Sequence, residues 1–156
     1  MAGAFKPGAP LGPRLMGPLQ QAMAAGGLWL ARKVKQSINT GNRTGGNPSK
    51  PFDPPNKQTG RLYKSITSVT EVTPAVVSVL VGTNVEYARA LEYGFAGTVP
   101  VKAHSRKLKG KGRTTQVKAH SRKVVMLPRP FLRPALLKHK ADFAKVVVKH
   151  LRMLAR

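Results

Sequence analysis

The side chains of this 156-residue chain that could carry chemistry are four histidines, five acids and a dense set of cations. His104 and His120 stand in two copies of one heptapeptide, while His139 and His150 lie near the C-terminus. On a helix the latter two share a face but are three turns apart, too far to hold one metal ion. Ser105 and Ser121 each follow a histidine, yet successive residues of a strand point to opposite faces, which is wrong for a nucleophile and its base. Glu86 and Glu92 could be imagined as the carboxylate pair of a nuclease. Six residues on a helix is about 600°, or about 240° around the axis, so they diverge. Gly110-Lys111-Gly112-Arg113 lacks both the strand-turn-helix setting and the Lys-Ser/Thr end of a phosphate loop. These patterns predict no catalytic residue, cofactor or metal, and a protein that is not an enzyme.

The cations are the chain's dominant feature: 28 Lys and Arg against 5 Asp and Glu, a formal charge of +23. Such a chain repels itself and needs a polyanion or an acidic protein surface opposite it. The densest run is residues 101–123, where Lys102, Arg106, Lys107, Lys109, Lys111, Arg113, Lys118, Arg122 and Lys123 occur with no acid. Val101-Lys102-Ala103-His104-Ser105-Arg106-Lys107 recurs there as Val117-Lys118-Ala119-His120-Ser121-Arg122-Lys123, across a Gly-rich tip. Two similar strands around such a tip predict a long basic β-hairpin arm, too charged to be core, that contacts DNA or an acidic partner. The duplication itself is too short for a solenoid repeat and reads as a local event.

The element around which the chain is organised runs from Val79 to Phe95. Val76 to Val81 form an apolar β-branched strand that Gly82-Thr83-Asn84 interrupts, and a short helix follows. Asn84 is placed to cap that helix, Glu86 sits in its first turn and Gly94 ends it. Tyr87, Leu91 and Tyr93 give it an apolar side, predicted to pack on a sheet. Glu86 or Glu92 is expected to face a basic group of the same or an adjacent subunit.

Gly82-Thr83-Asn84-Val85-Glu86-Tyr87-Ala88 with Leu91-Glu92-Tyr93-Gly94 resembles the central signature of tail-completion, or head-to-tail joining, proteins of the tailed-bacteriophage neck. Thr59-Gly60-Arg61-Leu62 with Ser65-Ile66 upstream, and Pro128-Arg129-Pro130-Phe131-Leu132-Arg133-Pro134-Ala135 downstream, agree in order and spacing. The likeness covers roughly residues 59 to 140. The basic insertion between the second and third motifs and the Pro/Gly-rich start depart from it. The resemblance implies a structural virion protein, made in the host cytoplasm. It would form a hexameric ring between the head connector and the tail tube, with double-stranded DNA passing through the lumen. A wall that held DNA by counterion release would be sticky, which tips the arm's expected contact towards an acidic protein surface. The competing class is a freestanding basic nucleic-acid-binding protein. The absence of aromatics from the arm weakens that reading, because single strands then have no stacking platform.

The remaining elements follow in order. Residues 1–17, with Pro7, Pro10 and Pro13 among glycines, predict a flexible arm. Residues 18–156 predict one α+β domain. Leu19, Met23, Leu30, Val34 and Ile38 recur at helical spacing from Pro18, with Gly26-Gly27 bending the helix or admitting a close neighbour. Residues 39–58, spaced by Pro48, Pro51, Pro54 and Pro55, predict a long loop. Arg61 to Val72 reads as the first strand of a hairpin. Leu132, Leu136, Phe143, Val147, Leu151 and Leu154 set a terminal helix whose apolar stripe is expected on the sheet. The predicted fold is therefore a twisted antiparallel sheet packed by a long first helix, a short middle helix and a C-terminal helix. Arg14 to Ala31 is too interrupted for an export signal, and no apolar run is long enough to span a membrane.

Overall fold

The computed structural model describes residues 13–38, 48–107 and 113–154. Its elements are helix α1 (Pro13–Ser37), helix α2 (Arg61–Ser65), strands β1 (Thr67–Val72) and β2 (Val77–Gly82), and helix α3 (Ala88–Tyr93). Strands β3 (Phe95–Val101), β4 (His104–Lys107), β5 (Thr114–Val117) and β6 (His120–Met126) follow, then helix α4 (Leu132–Leu154). The class is α+β, as the hydrophobic periodicities require.

The sheet is not one sheet. β1 pairs with β2, β3 with β6 and β4 with β5, all antiparallel and all two-stranded. Residues 83–94 carry the chain from the first ladder to the second through α3, so the two share no edge. The second and third ladders are one hairpin. Val101 stands opposite His120 and His104 opposite Val117, three residues forward against three back, so the register runs through unchanged. The ladder opens at the Lys-Ala pair of both repeats. There the ring of His104 donates from Nδ1 to the Lys102 carbonyl and that of His120 to the Lys118 carbonyl, both at 2.9 Å. A carbonyl can only accept, so in both rings Nδ1 carries a proton. The duplication thus has a structural consequence: Val-Lys-Ala-His of one copy lies opposite Val-Lys-Ala-His of the other, and both copies break the ladder in the same way.

Helix α1 starts at Pro13, not Pro18. The expected arm over residues 1–17 is therefore helical from Pro13, and its earlier part lies outside the described residues. Pro13 is a good opening residue, and Pro18 sacrifices only one backbone bond, to a carbonyl four residues back. Arg61–Ser65, expected as strand, is a helical turn that starts after Gly60, whose φ of +78° lies in the left-handed region. The hairpin begins after it, at Thr67. Of the 39–58 loop, residues 39–47 lie outside the described ones.

Helix α1 packs against both α4 and the β1–β2 hairpin. The apolar stripe of α4 accordingly packs along α1 instead of on the sheet. Gly26-Gly27 explains why two neighbours fit. A Cβ at Gly26 would lie 2.8 Å from Val147 Cγ2 and 2.9 Å from Phe143 Cε2, both on α4. One at Gly27 would lie 2.7 Å from Val79 Cγ1 on the hairpin. The core gathers at the C-terminal end of α1, where Val34 and Ile38 meet Ile66, Val85, Ala88, Phe131 and Ala135.

These contacts predict opposite signs for one substitution at three glycines of the same helix. Gly17 has no atom within 4 Å of its would-be Cβ. Gly17→Ala should then stabilise by about 0.5–1 kcal/mol through helix propensity alone. Gly26→Ala and Gly27→Ala should instead destabilise by about 1–3 kcal/mol, because stiff Val147 and Val79 must move. Chemical denaturation of the three variants checks both signs.

Candidate functional site: a buried carboxylate junction and a cationic arm

Glu92 is the one polar or charged residue that the described structure buries, at 8% exposure. Its carboxylate reaches the start of α4. Glu92 Oε2 accepts from the amides of Phe131 (2.8 Å) and Leu132 (3.0 Å), and Oε1 from that of Arg133 (2.7 Å). A helix leaves its first four amides without intrahelical partners. Here they belong to Phe131, Leu132, Arg133 and Pro134, and Pro134 has no N–H to satisfy. Glu92 therefore accounts for every orphan donor at this end, and its charge sits where the helix dipole favours an anion. Phe131 itself offers no capping side chain. It is 1% exposed in the core, so the capping group must come from another element.

The sequence predicts that Glu86 or Glu92 faces a basic group of the same or an adjacent subunit, but within the chain the partners of Glu92 are backbone amides instead. Among the described residues, ion pairs within 4 Å form only at Asp142, with His139 and Lys145. Glu86 is exposed. The apolar side assigned to the middle helix is also different. Ala88 and Glu92, four apart on one face, are the residues that α3 buries. Leu91 packs against the core, whereas Tyr87 (41%) and Tyr93 (68%) are exposed. α3 is too short to bury more than one face.

The turn before α3 is held by Thr83, not by Asn84, which is exposed. The Val85 amide donates to Thr83 Oγ1 at 3.2 Å, and the Thr83 and Ser65 hydroxyls are 2.6 Å apart. Ser65 in turn donates to the Leu62 carbonyl at 2.9 Å, so Thr83 is the donor between the two hydroxyls. No side chain caps α3 itself. Gly82 closes β2 opposite Thr67. Gly94 has φ +80° and ψ 173°, a region essentially closed to other residues and distinct from the left-handed helical one expected. A Cβ there would also lie 2.9 Å from the Met126 carbonyl oxygen.

The segment Pro128–Pro130 is tied down from both sides. Arg129 donates its amide to the Leu91 carbonyl (2.6 Å) and Nε to the Ser49 carbonyl (2.9 Å), and the Phe52 amide donates to the Pro128 carbonyl (2.7 Å). Phe52 adopts a φ of +70° with an exposed side chain, strain that this pinned loop sustains. Sequence reading missed Thr83, Arg129 and Phe52. A Ser/Thr pair split across two motifs was the available signal for the first.

The arm projects its charge in every direction. Lys102, Arg106, Lys107, Arg113, Lys118, Arg122 and Lys123 are all exposed, while Lys109 and Lys111 lie outside the described residues. Arg106 and Lys107 are neighbours on β4 and Arg122 and Lys123 on β6, so each ladder carries cations on both faces. The four histidines are not brought together. His139 packs edge-on against Trp29 at 5.7 Å, and His150 donates to the Val146 carbonyl at 2.9 Å. Among the described residues no group of three or more His, Asp or Glu is placed to hold a metal ion, and no helix is long and apolar enough to cross a membrane.

Comparison of the chain with models of protein families, with curated proteins and with solved structures finds no match.

Replacing Glu92 discriminates a cap from an ion pair. Glu92→Ala strands three amides and should cost about 3 kcal/mol or more, while Glu92→Gln, which keeps one acceptor oxygen, should cost about 1–2 kcal/mol. Both losses should persist in high salt, where an exposed ion pair would already be screened. Denaturation of the isolated protein at low and high salt measures them.

Proposed function

We propose that this chain is a structural protein of the tailed-bacteriophage neck, which joins the head connector to the tail around the DNA channel. The observation that carries the reading is what the three resembling motifs do together. Ser65 of the first bonds Thr83 of the second, and Glu92 of the second caps the helix that begins in the third. Residues of that kind serve architecture: they tie distant backbone segments and leave no reactive group presented to a substrate. Around this junction the chain offers surfaces for partners. On this reading it works as a ring, hexameric as the resemblance implies, with the arm reaching a neighbouring ring or the DNA.

One observation favours the second reading, a freestanding nucleic-acid-binding protein. The major groove of duplex DNA admits a two-stranded β-ribbon, and cations on both ribbon faces can meet both phosphate walls. The same geometry also suits insertion between two acidic protein surfaces, and a net charge of +23 disfavours ring closure until such surfaces are present.

Immunogold labelling in the cells that make the protein separates the two. The neck reading expects label at the head-to-tail junction of virions, and unjoined heads and tails when residues 108–116 are deleted. Label on the nucleoid or ribosomes, with no particles marked, contradicts it.

A further inference from the structure

We propose that the outward face of α4 is a docking seam for an acidic amphipathic helix of a different protein. This goes beyond the neck reading and stands without it. Ala135 and Val147 mark the side of α4 that is buried, against α1. A second apolar stripe, Leu137, Ala141, Ala144 and Val148, is centred about 150° around the axis from Ala135 and about 90° from Val147. None of it is covered: Leu137 is 68% exposed and Val148 46%.

The spacing of this stripe is four, three, four. That is the a/d repeat of a coiled-coil seam, not the broader stripe of a helix buried in a core. With Ala141 and Val148 as a, and Leu137 and Ala144 as d, the e positions are Lys138, Lys145 and Arg152. All three are basic and exposed. On the opposite flank the g positions are Lys140, basic and exposed, and Val147, buried against α1, so the open cationic flank of the seam is the e side. Ala144, Lys145, Val148, Lys149, Arg152 and Met153 lie together on this exposed face. Lys145 is held 3.2 Å from Asp142, but both are exposed, and such a pair exchanges readily for a better one.

The flanks choose the occupant. Charges at e and g set which helix can pair with a seam. A second copy of this chain would bring cations against cations in either orientation, so self-pairing is opposed. A helix with apolar a and d residues and Glu or Asp beside them satisfies both the stripe and its flanks. The small alanines let that helix approach closely, and Leu137 and Val148 supply the larger knobs.

Any polyanion will adhere to a protein of this charge, so the test must separate seam from charge. The probe is a synthetic peptide of about four heptads with Leu at a and d and Glu at e and g, compared with polyglutamate of equal charge. The full-length protein should bind the heptad peptide about tenfold more tightly than polyglutamate at moderate salt. Leu137→Ser with Val148→Ser should abolish that difference and leave polyglutamate binding unchanged, with the circular dichroism spectrum intact. Lys138→Glu with Lys145→Glu should transfer the preference to a peptide with Lys at e and g. Equal binding of both probes, unaffected by the serine variant, would reduce the effect to charge and overturn the proposal. Two further outcomes also refute it: loss of binding to phosphatidylserine vesicles in the serine variant with peptide binding retained, or wild-type self-association that the serine variant removes.

Discussion

A buried carboxylate that has no ion-pair partner among the described residues holds this structure together. Moving Glu92 out of water costs several kcal/mol, and in a chain of +23 an arginine or lysine would be the obvious compensation. Three backbone amides and a helix terminus do the work instead. Each hydrogen bond to a charged group contributes about 1.5–3 kcal/mol net, enough together to offset the burial. The geometry has a positional advantage over an ion pair. A guanidinium swings on a long stem, whereas amides at the start of a helix are fixed to its axis, so the contact sets where α4 begins and how it meets α3. Phe131 is then directed into the core beside Val34, Ile38 and Ile66, and α4 is laid along α1 over Gly26.

The rest of the fold follows from that placement. With α4 seated over Gly26, the β1–β2 hairpin packs on the adjacent face of α1, over Gly27. Gly94 turns the chain out of α3 directly beneath Met126, which brings the two ends of the long hairpin together at the junction. The described residues between Val101 and His120 are not part of the core cluster, so they can project as an arm.

How much of this could be read in advance depends on which physical signal a residue carries. Hydrophobic periodicity marked α1, α4 and the β1–β2 hairpin, and the basic repeat marked the arm, because both patterns are local. Gly26-Gly27 was legible as a possible close approach, although which elements would approach was not. Glu92 was legible as an unusual residue and misread as to partner. Chain composition favours a cation as the partner of an acid, while the actual partners are main-chain amides, which no side-chain pattern reports. The displaced start of α1 is a matter of local chemistry, since Pro13 opens a helix as readily as Pro18, whereas the helical turn at Arg61–Ser65 is short and its conformation is decided by packing, with Leu62 buried in the core. Tyr87 and Tyr93 were expected inside because aromatics usually are, but a six-residue helix with Ala88 and Glu92 inward leaves them on the surface.

The central claim is that Glu92 alone satisfies the start of α4. Hydrogen exchange of individual amides tests it most directly, because the three amides concerned belong to neither a ladder nor the regular bonding of the helix. The structure predicts that Phe131, Leu132 and Arg133 exchange slowly in the native protein. In Glu92→Gln their protection should fall well before that of residues in the middle of α4. Rapid exchange of those three amides in the unmodified protein, or protection that survives the substitution unchanged, would contradict the account.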